Sequence, residues 1–165
     1  MTHAEHTIAP VFNAHSSILI LGSFPSVKSR EGCFFYHHPQ NRFWKVLAAV
    51  FSSPPPATIE EKKTFLLDRR IALWDVIQSC DIQASSDSSI ANVIPNDISA
   101  ILNATAIRRI YTNGNTAFAL YNRYIYPKNR ISAVKLPSTS PANARFTLDM
   151  LIREWMILLD AENKI

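Results

Sequence analysis

Four short apolar segments, each ending in a turn or in polar residues, constrain the fold more than any other feature of the sequence. They occupy residues 18–21, 71–76, 107–112 and 131–136. Apolar runs of this length, bounded by turn residues, are typical of strands that are covered on both faces of a parallel sheet. Amphipathic segments follow them, so that strand and helix alternate four times. The sequence therefore predicts an α/β protein, a three-layer α/β/α sandwich with a four-stranded parallel sheet.

The predicted helices carry their apolar residues at helical spacing. The first is expected over residues 39–51, because Pro39 suits a first turn and Phe43, Leu47 and Phe51 follow on one side. Further helices are predicted at residues 58–70, where Thr58 begins a capping box, and at 96–102, 117–124 and 142–159. The polar linker at 84–92 is expected to form an ordered surface loop.

Length and composition predict one domain. The chain has 165 residues, of which 47% are apolar, and this suffices for one well-covered core. We expect residues 1–165 to form that domain, with residues 1–14 loosely ordered. Residues 1–10 are polar and do not resemble a signal peptide, and no apolar run is long enough to span a bilayer. A cytoplasmic protein without membrane association is therefore expected.

Charge and residue usage narrow the possible ligands. The formal net charge is +4 and the isoelectric point is about 9.2, which is compatible with a polyanionic partner. Only three glycines are present, which excludes the Gly-rich loops that bind nucleotide phosphates. Cys33, His37 and His38 lack a convincing fourth ligand, so that neither a metal nor a cofactor is expected.

Polar residues follow each predicted strand. In a parallel sheet the carboxyl ends of the strands meet at one edge, where open α/β sheets bind their ligands. Taken singly, each residue would more readily be a turn or cap residue, but their convergence favours a binding site. The converging residues are Ser23, Ser26, Asp75, Asn113, Ser138, Thr139 and Ser140.

Three segments resemble motifs of the uracil-DNA glycosylase superfamily. They are residues 22–26, 36–46 and 136–143, which read GSFPS, YHHPQNRFWKV and LPSTSPAN. The second is similar to the mismatch-specific uracil and thymine glycosylases, and the third stands where the superfamily has the loop that enters the minor groove. The combination of the first and third is most similar to the branch of hypoxanthine (deoxyinosine) DNA glycosylases. The similarity spans residues 17–159.

Two departures from the superfamily bear on mechanism. Where mismatch-specific members have an asparagine that positions the attacking water, and uracil-specific members an aspartate, this chain has Phe24. The fourth-strand histidine of the uracil-specific enzymes is also missing. The resemblance therefore implies that water is not activated in that way, which argues against efficient excision of uracil.

The resemblance also implies roles at the catalytic centre. Asn41 is the leading catalytic candidate, because its amide can orient water or bond the base, although it would also suit a helix cap. Ser23 and His37 are further catalytic candidates, since histidine is suited to donate a proton to a departing purine. His38 is interpreted as a structural hydrogen-bonding residue.

Four residues are assigned to the base. Tyr36 matches the position at which the superfamily stacks an aromatic ring on the extruded base, and Phe24 is placed in the same pocket. Asp75 matches the position of a base-reading asparagine. A carboxylate there would accept the ring-nitrogen proton of hypoxanthine, which adenine lacks, although Asp75 would also suit a strand-end cap. Asn113 is expected to donate to the purine carbonyl.

The remaining motif residues are assigned to the DNA. Pro141, Ala142 and Asn143 are expected to enter the stack that the extruded base has left. Contacts with phosphates are expected from Ser26, Arg42, Lys45, Ser138, Thr139, Ser140 and Arg145.

These features predict a monofunctional DNA glycosylase of base excision repair, which hydrolyses the N-glycosidic bond of deoxyinosine and leaves an abasic site. Its expected partner is double-stranded DNA containing a deaminated base, bound by a monomer without an obligate protein partner. The alternatives are a uracil or mismatch-specific glycosylase of broader specificity and a non-catalytic nucleic-acid-binding module of the same fold. Tyr36, Asn41 and Asp75 argue against the binding module, because a protein that only binds DNA needs no base pocket.

Overall fold

The computed structural model describes residues 1–162, which form two sheets and the helices that cover them. Strands β1 to β7 are Thr2–Glu5, Ile18–Gly22, Ile71–Asp75, Ile77–Ile82, Ala91–Pro95, Arg109–Asn113 and Ala133–Leu136. Helices α1 to α8 are Val27–Gly32, Phe43–Val50, Ile59–Asp68, Ser99–Ala104, Asn115–Tyr124, Tyr126–Asn129, Leu148–Trp155 and Ile157–Glu162. A short 3₁₀ helix spans Asp87–Ser89.

The four predicted strands form a parallel sheet in the order β3-β2-β6-β7, which confirms the predicted α/β class. Strand β2 is central and buried along its whole length, as its uninterrupted aliphatic sequence predicts. The register places Gly22 beside Asp75 and Asn113 beside Leu136. The carboxyl ends of the strands therefore lie along one edge of the sheet.

Helices cover both faces of this sheet, so that it forms the middle of three layers. On one face, α2, α3 and α7 contribute to a core that includes Ile20, Leu47, Leu66 and Trp155. On the other face, α4, α5 and β4 contribute to a second core, which includes Leu21 and Tyr121. Alternate residues of β2 thus point into different cores, as the pleat of a strand requires.

A second sheet, which the sequence does not predict, lies beside the first. It is antiparallel, with the order β1-β4-β5. Residues 1–14 are predicted to be loosely ordered, but β1 pairs with β4, and Val11 exchanges two backbone hydrogen bonds with Leu73. These contacts are made mainly by the backbone, and for that reason the polar sequence of the segment does not indicate them.

Two predicted helices begin four or more residues later than their sequences indicate. The helix expected from Pro39 begins at Phe43. The helix expected from residue 142 begins at Leu148, and its N-cap is Thr147, whose side chain accepts a hydrogen bond from the Met150 N–H. In both cases the preceding residues include turns. No helix within residues 1–162 is long and apolar enough to cross a membrane.

Candidate active site

Gly22, the last residue of β2, allows two functional groups to meet at the carboxyl edge. A Cβ atom at this position would lie 2.4 Å from Asp75 Oδ1 and 2.7 Å from the Tyr36 hydroxyl oxygen. Both distances are shorter than real Cβ contacts, so that only glycine fits here without a shift of the carboxylate or the phenol. The absence of a side chain thus lets a carboxylate and a phenol occupy the same corner.

Asp75, at the end of β3, is nearly buried, with 3% of its surface exposed. Its Oδ2 accepts a hydrogen bond of 2.8 Å from His6 Nε2. Oδ1 has no hydrogen-bond partner among residues 1–162, and it is not completely buried. The backbone carbonyl of Asp75 accepts a hydrogen bond from Asn96 Nδ2. One carboxylate oxygen is therefore fixed, and the other remains a free acceptor.

Tyr36 is held in the left-handed region, with φ at 51°, in the loop that precedes α2. Its ring stacks on Phe43 at a centroid distance of 4.0 Å. Its hydroxyl is buried and makes no hydrogen bond of normal geometry within the described residues. Burial and the nearby charge of Asp75 raise the pKa of Tyr36 far above its usual range, and the neighbouring Asn113 opposes this effect. Tyr36 is therefore a neutral aromatic group in the site.

Three side chains from different segments form a hydrogen-bonded chain across the edge. The Thr139 N–H donates to Asn113 Oδ1, and Asn113 Nδ2 donates to the Thr139 hydroxyl, each at 3.0 Å. The Thr139 hydroxyl in turn donates to Asn41 Oδ1 at 2.8 Å. Asn41 Oδ1 also accepts the N–H of Phe43, at the start of α2.

This chain determines the orientation of the Asn41 amide. The backbone N–H groups of Thr139 and Phe43 can only donate, so each must face an amide oxygen. The contact from the Thr139 N–H identifies the oxygen of Asn113, so the other atom of that amide is its NH₂ group. The Thr139 hydroxyl therefore accepts from Asn113 and donates to Asn41. The oxygen of Asn41 is thus fully used, and its Nδ2 has no hydrogen-bond partner in the described part of the chain. Asn41 thus accepts the N–H of the first residue of α2 and still presents a donor.

Comparison with known proteins adds the family to this geometry. The family model described as the uracil DNA glycosylase superfamily matches residues 9–158. The chain belongs to this superfamily.

Two curated relatives of this glycosylase-superfamily chain are named hypoxanthine DNA glycosylase. The protein from Methanosarcina acetivorans is 34% identical over 139 residues, which are 83% of this chain and 87% of the relative. The protein from Methanosarcina barkeri is 29% identical over 107 residues, which are 64% and 68% of the two chains. A solution NMR structure from M. acetivorans, described provisionally as a uracil DNA glycosylase, has a TM-score of 0.78 and 28% identity, and the match covers 96% of this chain and 99% of that one.

Two residues predicted to contact DNA or the base are hydrogen-bonded to each other, and their contacts with DNA or the base stay predictions. Thr139, predicted to bind phosphate, is fully buried, and its hydroxyl links Asn41 to Asn113. Asn113, predicted to donate to the purine carbonyl, uses its oxygen and one N–H on Thr139. Both side chains stabilise the edge because they connect β6 to the loop that follows β7.

Arg42, also predicted to bind phosphate, holds the loop of residues 137–147. Its guanidinium donates to the backbone carbonyls of Phe146, Ser140 and Asn143. These carbonyls engage three of the five N–H donors of the guanidinium. Arg42 therefore shapes the loop, whose residues Pro141 and Ala142 are exposed, and its phosphate contact stays a prediction.

Local hydrogen bonds occupy several of the other polar residues assigned to DNA. Ser26 caps α1, since its side chain accepts from the Ser29 N–H. Ser138 and Ser140 accept from backbone N–H groups two residues further on, and Asn143 Nδ2 donates to the Ser138 carbonyl. Lys45 and Arg145 are exposed, and their phosphate contacts stay predictions.

The two histidines of the motif lie at the rim. His37 is exposed, and its ring lies against Gly32, where a Cβ atom would approach it to 2.4 Å. The Nδ1 atom of His38 accepts the N–H of Gln40, which is a local structural contact of the kind predicted for it. The catalytic role of His37 stays a prediction.

Ser23 contacts a carboxylate that sequence reasoning missed. Its hydroxyl donates to Asp87 Oδ1 at 3.2 Å. Although Asp87 is exposed, desolvation of its carboxylate raises its pKa, the bond from Ser23 lowers it, and the charge of Asp75 raises it again. Asp87 belongs to a serine-rich linker that carries no motif, so that only the folding of the β4–β5 connection brings it to the site.

His6 is the second residue that sequence reasoning missed, and it explains the position of Phe24. The Phe24 ring, predicted to contact the base, is 9% exposed and packs edge-on against His6 at 6.2 Å. Phe24 therefore forms part of the wall around His6, and its contact with the base stays a prediction. No motif marks His6, because it lies in a polar segment whose pairing with β4 is non-local.

Proposed function

We propose that this protein is a monofunctional DNA glycosylase that hydrolyses the N-glycosidic bond of deoxyinosine in DNA, releases hypoxanthine and leaves an abasic site. The family membership and the names of the two curated relatives support this activity. The observation that carries the proposal is that one edge of the sheet presents two hydrogen-bonding groups of opposite kind, the free acceptor of Asp75 and the free donor of Asn41.

Asp75 is proposed to recognise the base. A carboxylate oxygen accepts the N–H that hypoxanthine carries on its six-membered ring, and adenine has a bare nitrogen at the same place. An acceptor facing that nitrogen would be repelled by its lone pair. The site would thus distinguish the deaminated purine from the normal one in an extruded nucleotide.

Asn41 is proposed to act on the departing base. Hydrolysis breaks the C1′–N bond through an oxocarbenium-like state, in which the bond electrons move onto the base. Because its oxygen is occupied, the Asn41 amide offers only N–H, which stabilises negative charge and does not remove a proton from water. Attack of water on C1′ then follows the departure of the base, and the proton that the water loses neutralises the base anion, so that hypoxanthine leaves in its neutral form.

Tyr36 and the loop of residues 137–147 are proposed to hold the extruded nucleotide. The Tyr36 ring, supported from behind by Phe43, offers a neutral stacking surface, and base stacking contributes about 1–3 kcal/mol. The exposed Pro141 and Ala142 would enter the space that the base leaves. The hydrogen bonds from Arg42 hold the backbone of this loop, which supports the insertion of these two residues.

The proposal is tested with duplexes that carry inosine, uracil, xanthine or a thymine mismatch, incubated under single turnover and then treated with alkali. We expect the inosine strand to break only after alkali, with Thr139→Val slower than wild type since the Asn41 amide loses its support. Strand scission without alkali would contradict the monofunctional assignment. Release of uracil or thymine without hypoxanthine would contradict the proposed base.

A further inference from the structure

His6 occupies a sealed aromatic chamber behind Asp75. Its side chain is 1% exposed, and that of Asp75 is 4% exposed. The ring centroids of Phe24, Phe35 and Trp74 lie 6.2, 6.1 and 6.0 Å from that of the imidazole. His6 itself comes from the N-terminal segment, which lies outside the motifs that resemble the family, whereas Phe24 of the chamber wall belongs to the first motif. A histidine so enclosed can interact with substrate only through its neighbour.

Backbone geometry fixes the tautomer of this histidine. The N–H of Ile8 donates to His6 Nδ1 at 3.2 Å, and a backbone N–H can only donate. Nδ1 therefore carries no proton, and the hydrogen of the neutral ring is on Nε2. That hydrogen points at Asp75 Oδ2 over 2.8 Å. His6 is thus a donor of fixed direction, and it cannot reverse its polarity without breaking the bond from Ile8.

We propose that His6 is a positioning residue that fixes the hydrogen-bonding polarity of position 75. By engaging Oδ2 with a fixed donor, it leaves Oδ1 as an acceptor for the base, so that the site selects bases with a protonated ring nitrogen. This inference rests on the proposed function. It adds a residue of the N-terminal segment to the recognition of the base.

The fixed donor predicts an unusual result for the isosteric variant Asp75→Asn. In this variant the Nε2 hydrogen of His6 requires the amide oxygen as its partner. The amide NH₂ group is then directed to the base, where it opposes the ring N–H of hypoxanthine. When His6 is also replaced by leucine, the amide is free to turn and offer its oxygen. Removal of a second buried group should therefore restore part of the lost activity.

The test measures single-turnover excision from an inosine duplex by the full chain. We expect His6→Leu to lose about ten- to hundredfold, the effect of one hydrogen bond to a charged group. His6→Gln, whose amide donor has similar reach, should stay within a few-fold of wild type. Asp75→Asn should be slow, and the double variant His6→Leu/Asp75→Asn several-fold faster than Asp75→Asn alone. His3→Leu removes an exposed histidine of the same segment and serves as the control.

A double variant that is as slow as Asp75→Asn, or slower, would overturn the proposal, and so would a His6→Gln variant as impaired as His6→Leu. An independent arm uses long-range ¹H–¹⁵N spectra of the free protein, in which His6 should carry its proton on Nε2 alone. A proton on Nδ1 would overturn the role of His6 whatever the activity. By contrast, a wild-type protein that excises no base while His6 shows the expected tautomer would contradict only the proposed function.

Discussion

At the scale of single residues, the donors and acceptors that the site offers to a ligand depend on which atoms of each polar side chain already form hydrogen bonds within the protein. Asn41 has its oxygen occupied and its NH₂ free, whereas Asp75 has one oxygen occupied and the other free. Backbone N–H groups, which cannot reverse, determine the orientation of both Asn41 and His6. Residue types alone do not reveal this arrangement, because each amide and imidazole could face either way.

Replacing Asn41 by aspartate tests the donor role. Asn41→Asp keeps an oxygen for the Phe43 N–H and the Thr139 hydroxyl, but replaces the free NH₂ by a second acceptor. Single-turnover excision should fall about ten- to hundredfold or more, with little change in thermal unfolding. Near-normal excision by Asn41→Asp would show that the Asn41 amide does not act as a donor.

Two substitutions of Tyr36 distinguish the role of its ring from the role of its hydroxyl. Its buried hydroxyl makes no hydrogen bond of normal geometry within residues 1–162, so Tyr36→Phe should keep excision and leave the unfolding temperature unchanged or higher. Tyr36→Ala should lose most activity because the stacking surface is gone. Excision assays and thermal unfolding of both variants check this, and an equal loss in the two would indicate a role for the hydroxyl.

Asp87 predicts a dependence of stability on pH. Because its pKa is raised above the ordinary 3.8, the folded state favours the protonated form, and stability is lost as pH rises through the raised pKa. Because Asp87 is exposed and solvent screens its charge, Asp87→Asn should be only slightly more stable than wild type at pH 7, with a difference that shrinks toward pH 4. Chemical unfolding across this range is the measurement.

Asp97→Asn is the matched control of opposite sign. Hydrogen bonds from Ser99 lower the pKa of Asp97, so its charged form stabilises the folded state above the ordinary 3.8. The variant should be less stable than wild type at pH 7, again with a smaller difference in acid. The same sign for both variants would contradict these assignments.

At the scale of elements, the loop of residues 137–147 depends on a partner far from it in sequence. Arg42, at the start of α2, holds this loop by three carbonyls, and Trp155 Nε1 donates to the Pro137 carbonyl. The helix predicted from residue 142 begins at Leu148 because the preceding residues are engaged in these contacts. Helical spacing alone therefore extends the helix too far.

Substitution of two arginines distinguishes the effect of loop shape from the effect of charge, because each substitution removes one positive charge but only Arg42 holds the loop. Arg42→Ala removes the framework of the loop, so excision should slow at least tenfold and the unfolding temperature should fall. Arg145→Ala removes an exposed charge and should only weaken DNA binding, with a smaller salt dependence and normal stability. Similar behaviour of the two variants in unfolding and binding assays would contradict the structural role of Arg42.

At the scale of the whole molecule, local patterns predict the parallel sheet and non-local pairing determines the rest. The apolar runs at Ile18–Gly22 and Ile71–Asp75 indicate buried strands because they are short and are bounded by turn or polar residues. The sheet β1-β4-β5 is not predictable in this way, since polar residues of β1 pair with a strand more than 70 residues away. The motifs place Asn41, Tyr36 and Asp75 at the edge, but His6 and Asp87 reach it only through that second sheet.

The most direct test of the central claim is the chemical identity of the products. Wild-type protein and an inosine duplex, analysed by mass spectrometry, should give free hypoxanthine and an intact strand with an abasic site in equal amounts. The Asn41→Asp variant should give both products more slowly, in the same ratio. A strand that binds the protein but keeps its inosine, or one that is cut with the base still attached, would contradict the account.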